Sequence, residues 1–100
     1  PDNFYLAIIN AYNTKLNEMN YLAGNLTDDR EIGISLMYRL ALSVKYAEMY
    51  DLLKASGLRY ETNYESERAR MRNNINRYSE ELANAVIPDI FQRGIYSIFR

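Results

Sequence analysis

The stretch between Thr27 and Gly57 constrains this chain more than any other. Thr27 or Asp28 can cap a helix there, and Asp28-x-x-Glu31 has the spacing of a capping box. Asp29 and Glu31 sit at the positive end of the helix dipole, Lys54 lies in the last turn, and Gly57 follows as a stop. Unless Gly33 breaks it, the result is a helix of about 29 residues, ~43 Å long at 1.5 Å per residue. A compact chain of 100 residues has a radius of gyration of ~13 Å and a diameter of only ~34 Å. Such a rod does not fit inside such a ball. The protein is expected to be elongated, or the helix to extend into a neighbour.

The circumference of this helix points the same way. One stripe carries Ile32, Leu36, Leu40, Val44 and Ala47. A second carries Tyr38, Leu42, Tyr46, Met49 and Leu53. At 100° per residue the two stripes are far apart. A helix apolar on both is central to its fold, or turns one stripe toward another subunit.

The flanking segments also read as helices. From Asp2 to about Asn20, Tyr5, Ile8, Ile9, Tyr12, Leu16 and Met19 recur at steps of three and four, with Asp2 as a possible cap. Asn10, Asn13 and Asn17 lie inside this segment. Asn is a poor helix former, so the segment should depend on packing. Gly24 and Asn25 end it. A third helix opens at a capping box, Thr62-x-x-Glu65. Its Tyr64, Arg68, Met71, Ile75, Tyr78, Leu82 and Ala85 form a heptad seam with Arg68 as the one polar intruder. Pro88 disfavours helical backbone at Ile87, so this helix is expected to end near Val86. The short Leu58–Glu61 connection makes the second and third helices an antiparallel hairpin.

Residues 88–100 form an apolar arm, with one helical turn between Pro88 and Gly94. Ile90, Phe91, Ile95, Tyr96, Ile98 and Phe99 suit either folding back on residues 1–87 or docking on another chain. No internal repeat or low-complexity segment is present.

Composition excludes much chemistry. There is no histidine and no cysteine. That removes the commonest general base, the usual zinc ligands, disulfides and thiolate nucleophiles. No Gly-rich phosphate loop occurs. Asp28, Asp29 and Glu31 cluster, but a helix N-terminus accounts for them. Asn25-Leu26-Thr27 matches a glycosylation acceptor, and a turn followed by a cap accounts for that. No catalytic residue, cofactor or metal site is therefore expected. A net charge of −1 gives no global pull toward nucleic acid or an anionic membrane. With no cationic leader and no apolar run approaching ~18 residues, neither a signal peptide nor a membrane span is expected. The expected location is cytoplasmic, intracellular or virion-associated.

Two skews remain. Tyr occurs 10 times and Trp not at all, and nine of the 12 basic residues are Arg. Tyr and Arg are enriched at protein interfaces and Lys is depleted there. Arg68, Arg70, Arg72 and Arg77 crowd the third helix and form the only candidate nucleic-acid surface, with Arg70, Arg72 and Arg77 its nominated contacts. Glu65, Glu67, Glu80 and Glu81 flank them, whereas phosphate binding wants an unopposed basic stripe.

Leu36-Met37-Tyr38-Arg39-Leu40-Ala41-Leu42, with Tyr46 and Tyr50 beyond, is similar to a helix in phage head-to-tail adaptor proteins. The similarity covers about a quarter of the chain. It implies a helical ring component whose arms lock onto neighbours.

Together these features predict an all-α, elongated three-helix bundle, non-enzymatic and assembling with other protein chains, whether copies of itself or other subunits. The candidate interface is Tyr38, Leu42, Tyr46, Met49, Leu53, Ile95, Tyr96, Ile98 and Phe99. The alternative is a nucleic-acid-binding module built on the third helix.

Overall fold

A computed structural model describes residues 3–59 and 63–93, with residues 86–93 described by backbone alone. Three helices follow one another: α1 (Phe4–Ala23), α2 (Asp29–Ala55) and α3 (Tyr64–Arg93). The protein is an all-α, three-helix bundle, and no strand occurs among the described residues.

Local chemistry sets the helix ends. Asn3 caps α1, its side chain accepting from the Leu6 N–H at 3.0 Å. Asp2, the expected cap, lies outside the described residues, and α1 runs three residues beyond the expected Asn20. Asp28 rather than Thr27 caps α2, accepting from the Arg30 N–H at 2.8 Å. At the far end Gly57 has φ +83, a left-handed conformation that strains any residue with a Cβ. There the Gly57 N–H donates to the Lys54 carbonyl and the Leu58 N–H to that of Leu53. That pair of bonds is a Schellman motif, and it satisfies the last carbonyls of α2. Thr62 lies outside the described residues, and α3 starts at Tyr64, one residue later than that cap would place it.

Gly33 does not interrupt α2, which is continuous for 27 residues, or ~40 Å. The chain extends over 58 × 29 × 17 Å with a radius of gyration of 16.9 Å, well above the ~13 Å of a compact chain this long. The expected elongation is present.

One expectation is overturned. α3 does not stop near Val86 but continues through Pro88 to Arg93, and absorbs the separate turn expected after Pro88. Proline at this position removes the helical bond to the carbonyl of Asn84. Asn84 is exposed, so water can serve that carbonyl and offset part of the loss.

Both α1 and α3 run antiparallel to α2 and converge on one side of it. The core is Tyr5, Ile9, Tyr12 and Leu16 from α1, Leu36, Ala47 and Tyr50 from α2, and Tyr64, Met71 and Tyr78 from α3. Every position of the α3 seam is buried or half-buried, from Tyr64 to Ala85. Arg68, its polar member, forms a bidentate pair with Asp51 of α2 at 2.8 and 3.0 Å. Five buried tyrosines account for much of the tyrosine excess. Tyr5 meets Tyr50 and Tyr64 edge-on at 5.5 and 5.4 Å, and Tyr50 stacks on Tyr64 at 5.3 Å.

The buried hydroxyls are satisfied in a directed chain. Asn74 of α3 donates to the Tyr12 hydroxyl at 2.9 Å. Ser43 of α2 donates to the Arg39 carbonyl at 2.8 Å, which leaves its oxygen to accept from Tyr12 at 2.7 Å. One line of polar contacts thus ties all three helices together. The Tyr5 hydroxyl donates to the Leu58 carbonyl at 2.9 Å and anchors the start of α1 to the loop after α2.

This packing has two measurable consequences. A Cβ at Gly33 would meet nothing within 4 Å, so Gly33→Ala should stabilise the fold by roughly 0.5–1 kcal/mol, read as a raised denaturation midpoint. The second concerns Tyr50, whose hydroxyl is pushed from 10.0 up to about 12, first by burial and then by the charge of Glu67. A raised native value means the neutral phenol stabilises the fold. That contribution is complete below the unfolded value of 10.0 and is lost as pH rises toward about 12. Tyr50→Phe should therefore flatten the fall of melting temperature between those two pH values.

Candidate protein-interaction surface

The placement of α1 and α3 determines which parts of α2 remain open. On one flank, Tyr46 lies against Tyr12 of α1 at 5.6 Å, and Arg39 reaches Asn20 at 3.2 Å. On the other, Asp51 holds Arg68, and Leu40 and Val44 approach Leu82 of α3. The third side faces outward. There Ile34, Met37, Tyr38 and Leu52 are 52%, 49%, 62% and 69% exposed. Ala41, Lys45 and Glu48 lie among them and are exposed as well.

Ile34, Tyr38, Ala41, Lys45, Glu48 and Leu52 follow alternate steps of four and three. That is heptad spacing along the outer face of α2. Ala41 is its smallest member, and a shallow open groove lies beside it. Met37, Leu40, Ala41, Val44, Lys45, Glu48 and Leu82 line this groove. Glu48 makes no ion pair among the described residues, and Lys45 only overhangs the Tyr46 ring at 5.9 Å.

Leu42, Tyr46 and Leu53 pack against the internal core, and Met49 is half-buried. Of the second α2 stripe, Tyr38 alone stands well clear of the bundle. Ile95, Tyr96, Ile98 and Phe99 lie outside the described residues. The open face instead includes Ile34, Met37, Ala41 and Leu52, which sequence reading did not nominate. Their heptad spacing was present in the sequence, but the choice between faces depended on where α1 docks.

The arginines of α3 are largely engaged within the chain. Arg70 binds the Glu67 carboxylate at 2.9 and 3.1 Å, donates to the Asn13 side chain, and lies 5.5 Å over the Tyr12 ring. Arg77 lies 4.9 Å over the Tyr78 ring and donates to its hydroxyl at 3.0 Å. Arg72 is exposed and helps to lower the Asp51 carboxyl below its ordinary value, a shift due chiefly to the hydrogen bond from Arg68. No continuous basic stripe results among the described residues.

Among the described residues no group of acidic side chains is arranged to hold a metal ion, and no helix is long and apolar enough to cross a membrane. Compared with protein-family models, curated proteins and solved structures, the chain matches none.

Arg70 ties α1 to α3 and shields Tyr12. Arg70→Ala should therefore destabilise the bundle by about 1–2 kcal/mol, measured by urea denaturation. An unchanged midpoint would mean the guanidinium has no structural role.

Proposed function

We propose that this chain is a non-enzymatic helical assembly protein that works by packing against other protein chains through the outer face of α2. One observation carries the reading: α2 is already buried against α1 and α3, yet its far side still exposes Ile34, Met37, Tyr38 and Leu52. Scattered apolar residues are ordinary on a surface, but Ile34, Tyr38, Ala41 and Leu52 share one row at heptad spacing, with Lys45 and Glu48 between them, and heptad spacing is the form in which helices pack. The groove beside Ala41 adds relief to that row. A ring-forming adaptor of the phage head-to-tail kind is one concrete version, and its support is the resemblance around Leu36–Leu42. The nucleic-acid reading has thinner support, because Arg70 and Arg77 are held in contacts within the chain.

The test is mass in solution. Sedimentation equilibrium of the full chain should show association below about 1 mM. Tyr38→Ser combined with Leu52→Ser should abolish it while leaving stability within about 0.5 kcal/mol, as expected of exposed positions. A parent chain that stays monomeric throughout, or a double variant that assembles as the parent does, overturns the reading.

A further inference from the structure

We propose that the occupant of the outer α2 face is a second copy of this chain, packed antiparallel about a two-fold axis level with Tyr46 and Ala47. The inference rests on the assembly reading and specifies its partner and geometry.

The face is complementary to itself. A two-fold contact places the same surface on both sides, so each feature needs its complement on the same helix. Lys45 and Glu48 supply opposite charges three residues apart. With the axis level with Tyr46 and Ala47, each Lys45 meets Glu48 of the second copy, and this occurs twice. The same register sets Leu52, a knob 69% exposed, opposite Ala41 of the second copy, the smallest of the residues lining the groove. It also sets Tyr38 opposite the small Ala55. A large side chain opposite a small one lets the helices approach closely. A parallel pairing would instead put Lys45 on Lys45 and Glu48 on Glu48, which is repulsive. Charge and shape thus select the same direction and the same register.

Charge reversal tests this in the full-length protein. Lys45→Glu and Glu48→Lys, each alone, place like charges at both crossings and should weaken dimerisation about tenfold or more. An equimolar mixture of the two single variants should form a heterodimer, because each crossing regains opposite charges. The double variant K45E/E48K should regain the homodimer. Circular dichroism of each variant confirms that the helices persist. Dimerisation indifferent to the single reversals would overturn this geometry and leave self-association standing. A parent chain monomeric at about 1 mM would overturn the assembly reading along with it. Dimerisation that emerges only after removal of residues 94–100 would show that the chain's own end fills the groove, and would overturn the proposal.

Discussion

Two helices cannot close around a third. α2 is apolar over most of its girth, and among the described residues only α1 and α3 cover it. Both dock on the side bearing Leu36, Ser43, Ala47 and Tyr50, all of them buried. Long helices make the shortage worse. Helices of 27 and 30 residues use up most of the chain and leave no fourth element among the described residues. The open side of α2 follows from this arithmetic rather than from any local peculiarity.

Within that thin core, tyrosine takes the place that leucine fills in most bundles. Tyrosine brings a large ring at low entropic cost, but its hydroxyl must find a partner when buried. The donor chain from Asn74 through Tyr12 and Ser43 to the Arg39 carbonyl meets that demand. A leucine core allows helices to slide by a fraction of a turn with little penalty. Here sliding would strand buried hydroxyls, so polar satisfaction fixes the register of all three helices. That rigidity holds the outer face of α2 in a defined shape.

The sequence made most of the fold legible. The α3 seam was readable in full, because a heptad pattern on an outer helix has one side to bury and one direction to point. The α2 caps were readable because capping is local chemistry. What was not readable was the division of α2's girth. Leu42, Tyr46 and Leu53 have the periodicity of a partner face, yet they pack against the core. On a helix apolar nearly all round, periodicity identifies stripes but does not say which neighbour takes which. That depends on the crossing of α1, a long-range property. Pro88 failed for a different reason. The rule against helix before proline is a preference, not a prohibition, and the exposed Asn84 leaves its carbonyl open to water.

The charges in the middle of the outer seam bear on how an exposed apolar face is kept usable. An uninterrupted row from Ile34 to Leu52 would accept any greasy surface in any register. Lys45 and Glu48 change that. In the free chain they are hydrated and keep the face soluble at little cost. Against an apolar partner they would lose water and gain nothing, which disfavours that partner. Only a surface offering a negative charge where Lys45 lies and a positive one where Glu48 lies repays their dehydration. The same face of α2 turned end for end carries that charge pattern at that spacing.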